Sequence, residues 1–255
     1  MQVLIFSLLV VFVYMTLWFI ISIFKKRSDV ADIAWGLGFV VLSWSLYLLH
    51  SDNQILLLAS LLVSIWGIRL SAHIYMRNRK KAEDYRYQEM RKRWGNWALL
   101  GSYLQVFLLQ GMFLVLIAMP LIGFALNSNN VIGLPVFVGV IVWLIGFIFE
   151  VTGDLQLKIF VNNPKNKGKI MRYGLWRYTR HPNYFGEVTQ WWGIWLLGYG
   201  LTSFLWTIIG PITITFLILK VSGIPLLEKR YVGNKEYEKY KRQTSVFIPW
   251  VPKKG

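Results

Sequence analysis

Seven apolar segments, roughly 3–24, 31–49, 54–74, 103–126, 131–153, 184–200 and 203–221, run through this chain. Each is close to the ~20 residues that an α-helix needs to cross a bilayer. Backbone N–H and C=O groups inside lipid must be satisfied within the protein, and a helix does this within one segment. The pattern predicts an all-α, polytopic membrane helical bundle of about seven transmembrane helices. A soluble domain of 255 residues with 55% hydrophobic content would expose far too much apolar surface.

The basic residues predict the orientation. The connections 49–54, 126–131 and 200–203, together with Met1-Gln2, hold no Lys or Arg. All 28 lie around 25–27, at 69–93, at 158–180 and from 220 onwards. By the positive-inside rule the N-terminus is then outside and the C-terminus cytoplasmic. Lys25-Lys26-Arg27 follows the first segment with no small-residue cleavage site, so that segment is expected to stay attached as a helix. One integral membrane domain over 1–255 is expected, with helices in 1–153 and a C-terminal half, 154–255. Loops 75–102 and 154–183 and the tail 222–255 are the cytoplasmic pieces.

A net charge of +16 is explained by topology and by anionic head groups, so nucleic acid is not an expected partner. The chain has no cysteine, which excludes disulfide and thiolate chemistry. His50, His73 and His181 are scattered without metal-ligand spacing, and no metal is expected.

Polar residues inside apolar segments carry the functional signal, because charge in a membrane span is costly. Glu150 and Asp154 are four apart and share a helix face. Asn183, Glu187 and Gln190 share another, at i, i+4, i+7. Arg177, Arg180, His181 and Asn183 cluster just before the segment that begins at Tyr184, and such donors at a membrane entrance suit an anionic or polar cofactor. Polar residues between helices can also serve as interhelical glue. That bland role is the favoured one for Asp29 and Asp32, which lie beside Lys25, Lys26 and Arg27. Arg69, His73 and Arg77 form a third face, for which a purely topological role has even odds.

The stretch Gly174 to Glu187 resembles the signature of the steroid 5α-reductase-like membrane enzymes, and is most similar to their bacterial branch of unassigned substrate. Further matches are Asp32 to Phe39, the Arg69, His73, Arg77-Asn78 face, and Glu83-Asp84-Tyr85-Arg86-Tyr87. Glu150 and Asp154, Leu226 to Arg230, and Glu236-Tyr237, Tyr240 and Ile248-Pro249 complete the pattern. The resemblance implies NADPH bound between the cytoplasmic loops and the helices, with a lipid-like enone entering from the membrane. It implies that Asp154, Tyr178, Asn183, Glu187 and the Arg230–Tyr240 tail, Tyr237 included, occupy cofactor-site positions. Arg180-His181-Pro182 departs from the animal steroid reductases. It is similar to the sterol double-bond reductases and the isoprenylcysteine carboxyl methyltransferases, which use S-adenosylmethionine. The N-terminal glutamate that orients the steroid carbonyl in the animal enzymes has no match before Glu83, so a steroid substrate is unsupported.

The expected activity is an NADPH-dependent oxidoreductase acting on a conjugated carbon–carbon double bond of a lipid-like substrate. Negative charge developing on the substrate carbonyl needs a hydrogen-bond donor, for which Glu187, Tyr184 and Glu150 are the candidates. Arg177, Arg180, Lys229 and Arg230 are the candidate phosphate-binding cations, with arginine preferred and His181 beside them. No Gly-x-Gly-x-x-Gly follows a strand, so a Rossmann-type cofactor site is not expected. A membrane methyltransferase using S-adenosylmethionine, and a non-enzymatic membrane protein, are the alternatives. The bacterial branch places the chain in an inner membrane, with its site toward the cytoplasm.

Overall fold

The computed structural model describes residues 1–127, 132–201 and 204–253. Among these residues all regular structure is helical, and six helical segments are long and apolar enough to cross a membrane. They are Gln2–Lys25, Val30–Leu49, Gln54–Asn78, Tyr85–Ile117, Leu134–Asn162 and Leu205–Lys229. The chain is an integral membrane protein. The expected segment 184–200 forms a 15-residue helix, Pro182–Leu196, about 22 Å long and too short to count among the six. The expected connections 126–131 and 200–203, and the first residues of spans 131–153 and 203–221, lie partly outside the described residues.

The chain divides into two compact units, Met1–Ile132 with Gly200–Ile209, and Gly133–Tyr199 with Gly210–Gly255. In the first, helices α1 (Gln2–Lys25), α2 (Val30–Leu49) and α3 (Gln54–Asn78) form the N-terminal bundle. Helix α2 packs on α3 through Gly36 and Gly67, where a Cβ on either would sit 2.5 Å from the other's carbonyl oxygen. Asn53 starts α3 by accepting from Leu56 N at 2.9 Å, while its amide donates to Phe124 O at 2.8 Å. Next come α4 (Tyr85–Trp94), α5 (Ala98–Ser102), a π-turn at Tyr103–Leu108, α6 (Leu109–Ile117) and α7 (Met119–Ala125). The expected span 103–126 is therefore interrupted at Ala118, because Pro120 has no N–H to continue α6 and instead opens α7. The expected loop 75–102 contains the helix α4, capped by Asp84, whose side chain accepts from Arg86 N at 3.0 Å.

The second unit is built on a hairpin of α8 (Leu134–Asn162) and α9 (Pro182–Leu196). Gly139, Gly146 and Gly153 recur every seven residues on α8, and Gly186 and Gly193 do so on α9. Their backbones touch: a Cβ on Gly186 would lie 2.5 Å from both Glu150 N and Gly146 O. Small residues at such spacing let two membrane helices approach closely. This contact sets which polar side chains of α8 meet which of α9. The unit continues through α10 (Ile209–Phe216), a π-turn at Leu217–Val221, α11 (Ile224–Lys229) and α12 (Lys235–Gln243).

Candidate functional site

The glycine contact brings the two expected polar faces together. Asn183 Nδ2 donates to Asp154 Oδ1 at 3.1 Å. Deeper in the hairpin, Gln190 Nε2 donates to Glu150 Oε2, and both residues are buried. A carboxylate only accepts, so each amide must turn its nitrogen toward its acid. That leaves Asn183 Oδ1 and Gln190 Oε1 as buried oxygens without a hydrogen-bond partner among the described residues. Glu187 and Tyr184 lie half-buried on α9 between these two pairs.

Just ahead of α9, Arg180 and His181 are buried and converge on Glu228 of α11. Arg180 Nε donates to Glu228 Oε1 at 2.8 Å, and His181 Nε2 lies 3.1 Å from the same oxygen. Arg180 Nη1 also donates to Thr244 O at 2.8 Å and to Lys241 O at 3.2 Å. Burial lowers the His181 pKa, partly offset by Glu228. In the neutral ring, an Nε2–H facing the carboxylate leaves Nδ1 as an acceptor, and Nδ1 is buried without a partner among the described residues. Tyr184 stacks on this ring, with centroids 5.8 Å apart and planes at 21°.

The tail residues are held more tightly than their sequence implied. The Tyr240 hydroxyl donates to Trp176 O, and Tyr237 stacks on Tyr231 at 4.3 Å. Burial, reinforced by Glu228, pushes the Tyr237 phenol well above its ordinary pKa. Arg177 and Arg230 are exposed. Tyr178 is exposed too, and with Pro249, Trp250 and Val251 it lines a surface cavity of about 240 Å³ that Asp154, Asn183 and Glu187 do not line. The arrangement thus places Asp154, Asn183, His181 and Arg180 within one neighbourhood at the start of α9, and leaves Arg177, Tyr178 and Arg230 on the surface around it. Glu228 is the residue that sequence reasoning passed over. It stood inside the Leu226 to Arg230 match, but its role depends on partners 47 and 48 residues away.

The family described as "Protein of unknown function (DUF1295)" matches residues 18–244. The chain belongs to this family. As a DUF1295 protein it falls in a membrane reductase-like group, which agrees with the resemblance read from the sequence. It is 27% identical over 131 residues to 3-oxo-5-alpha-steroid 4-dehydrogenase 1 of Rattus norvegicus, covering 50% of this chain and 47% of that one. The Macaca fascicularis protein of the same name is 30% identical over 115 residues, covering 45% and 40%. A shorter stretch of 65 residues is 37% identical to the probable O-methyltransferase ustE of Ustilaginoidea virens, covering 26% and 21%. The chain thus spans about half the length of the steroid dehydrogenases it matches. No solved structure is significantly similar to it.

The other unit of this DUF1295 protein carries a second polar cluster. Asp29, almost fully buried, receives Arg27 Nε and Nη2, each at 2.6 Å, and Asp84 N at 3.3 Å. Glu83 accepts from Ser28 N at 2.5 Å and also pairs with Arg91. Asp32 Oδ1 accepts from the Tyr87 hydroxyl at 2.5 Å, with Arg86 Nη2 at 3.4 Å from Oδ2. For Asp29 and Asp32 these bonds match the structural role expected from their neighbours. They tie the start of α2 to the segment around α4.

Proposed function

We propose that this protein is a membrane-embedded, NADPH-dependent reductase of a conjugated carbon–carbon double bond in a lipid-like substrate. The observation that carries the reading is the pair of buried, unpartnered acceptors at the start of α9, Asn183 Oδ1 and His181 Nδ1. Asp154 and Glu228 hold both groups in place from behind. Buried acceptors left open in this way fit the amide and hydroxyl hydrogens of a dinucleotide. Arg177 and Arg230, both exposed, would hold its phosphates. Arg180 would act differently from the expected phosphate ligand, since it keeps Glu228 and the tail carbonyls in register. Tyr178, Tyr237 and Tyr240 would shape the surrounding wall.

When bound, NADPH supplies a hydride to the β-carbon of the enone. The chain's task is then to offer a hydrogen bond to the carbonyl oxygen where charge develops. Tyr184 or a protonated Glu187 would do so, with Glu150 fixing Gln190 one turn further along. In this reading the cofactor half 154–255 faces the cytoplasm of a bacterial inner membrane. That orientation rests on the distribution of basic residues.

A second reading, an S-adenosylmethionine-dependent methyltransferase, is favoured by the stretch shared with the probable O-methyltransferase. One measurement decides between them. The purified protein is melted in detergent with NADPH, NADH or S-adenosylmethionine. A ligand that binds only the folded state stabilises it by about 2.7 kcal/mol at a hundred times its dissociation constant. The reductase reading requires the shift with NADPH. A shift with S-adenosylmethionine alone overturns it.

A further inference from the structure

Residues 245–250 run in a series of bends along the loop that precedes α9. Arg180 N donates to Ser245 O at 2.9 Å, Thr179 Oγ1 to Phe247 O at 2.8 Å, and Trp250 N to Tyr178 O at 3.0 Å. Phe247 is half-buried, and its ring meets Phe185 of α9 with centroids 5.7 Å apart. Val246, Ile248 and Trp250 are 41%, 64% and 72% exposed. Large apolar side chains grouped open to water are what soluble surfaces avoid.

The depth of this group can be read from α8. The same loop is bonded to α8 by Trp176 Nε1 to Gly153 O at 3.1 Å and by Leu175 N to Gln156 Oε1 at 2.9 Å. From Leu134 to Gly153 the helix rises about 29 Å, close to the thickness of a bilayer's hydrocarbon core. With Leu134 at one face of the hydrocarbon, the tail falls at the level where hydrocarbon gives way to head groups, the place where Trp and Tyr concentrate in membrane proteins. Tyr173 and Tyr178 are exposed at the same level, and Arg172, Arg242 and Lys253 are exposed around them.

We propose that the Val246–Ile248–Trp250 group is an interfacial anchor seated in the head-group layer of the protein's own bilayer, with anionic phospholipid as its partner. The apolar side chains meet the acyl boundary, and the surrounding Arg and Lys meet the head groups. Such an anchor steadies the loop that carries Arg177 to His181, because that loop and the tail share the three hydrogen bonds above.

The chain contains no cysteine, so single labels can be placed without background. Ile248→Cys and Trp250→Cys, with Glu236→Cys on α12 as the exposed reference, are spin-labelled and reconstituted in nanodiscs containing phosphatidylglycerol and phosphatidylcholine. Collision of each label with oxygen, which partitions into lipid, is compared with collision with a water-soluble nickel chelate. The expected result is an oxygen-to-nickel ratio several-fold higher at 248 and 250 than at 236, falling when phosphatidylglycerol is left out. A ratio equal to that at 236 overturns the anchor. So does shielding from both reagents, which would mean that protein covers the group. A high ratio that does not respond to phosphatidylglycerol overturns the assignment of anionic lipid.

Discussion

Asp154 on α8 accepts a hydrogen bond from Asn183 Nδ2 on α9 at 3.1 Å, and this bond fixes which way the Asn183 amide faces. With its nitrogen committed, the amide presents Oδ1 as a buried acceptor. Asn183→Ala removes both functions. The unliganded protein should lose only about 1 kcal/mol, as for one ordinary hydrogen bond. The NADPH-induced rise in melting temperature should disappear. Glu187→Ala should lose that rise as well while the protein still folds. Shifts unchanged in both variants would assign the two residues to helix packing alone.

Close approach of α8 and α9 is the condition for the whole neighbourhood. A methyl group on Gly186 would meet Glu150 N and Gly146 O at 2.5 Å, both of them helix backbone atoms that cannot swing aside. Gly186→Ala should therefore force the helices apart and destabilise the protein by about 1–3 kcal/mol, the usual range for overpacking. Gly133→Ala is the control, since among the described residues a Cβ there meets only Pro135 Cδ at 3.6 Å. Equal melting temperatures for the two variants would contradict the packing described.

Arg180 joins three stretches of chain, through Glu228, Lys241 O and Thr244 O. Removing one member of a buried ion pair leaves the other uncompensated, at a cost of about 3–5 kcal/mol. Glu228→Ala strands Arg180 in this way, whereas Arg180→Ala also releases the two carbonyls. Hydrogen exchange should show faster opening of residues 241–250 in Arg180→Ala than in Glu228→Ala. The same exchange in both would mean that the carbonyl bonds do not hold the tail.

Much of this arrangement was legible in the residues themselves. Helical spacing alone put Glu150 with Asp154 and Asn183 with Glu187 and Gln190, and the fold makes those two faces meet. A structural role for Asp29 beside Lys25, Lys26 and Arg27 was legible, and Arg27 pairs with it, whereas Asp32 is held by Arg86 and Tyr87 from 54 and 55 residues away. Other features had no local signal. Arg180 at a membrane entrance looks like a free cation, yet its partners include backbone carbonyls 61 and 64 residues away, which no residue type announces. Tyr240 is the same case, with its hydroxyl spent on Trp176 O. The apolar run 184–200 continues past the helix end at Leu196, so hydropathy could not reveal how short α9 is.

His181 sets a pH dependence with a definite sign. Its folded pKa lies below the unfolded value of about 6.5, mainly through burial, with Arg180 also lowering it and Glu228 raising it. Above pH ~7 the ring is neutral in both states and costs nothing. As the pH falls through ~6.5 the unfolded chain takes up a proton that the folded one resists, so stability declines until the folded pKa is passed. His181→Gln, which has no titrating ring, should flatten this decline between pH 7 and 5. The comparison is made by melting curves across that window. A parallel decline in the variant would place the titration elsewhere.

The Asp29 cluster offers a test confined to the other unit. Asp29 is 1% exposed and gathers Arg27 and the Asp84 N–H at one carboxylate. Asp29→Ala leaves that N–H and a guanidinium without their acceptor and should cost about 1–3 kcal/mol. Arg27 is itself partly exposed, and solvent screening keeps the loss below that of a fully buried pair. Asp29→Asn retains an acceptor oxygen but not the charge, so its loss should be smaller. Because the bonds run from the start of α2 to Asp84 at the cap of α4, hydrogen exchange should rise first at the amides of residues 83–87. The NADPH-induced shift should survive in Asp29→Asn, since none of the residues assigned to the cofactor belongs to this cluster. Loss of that shift with the fold intact would show that the cluster takes part in binding.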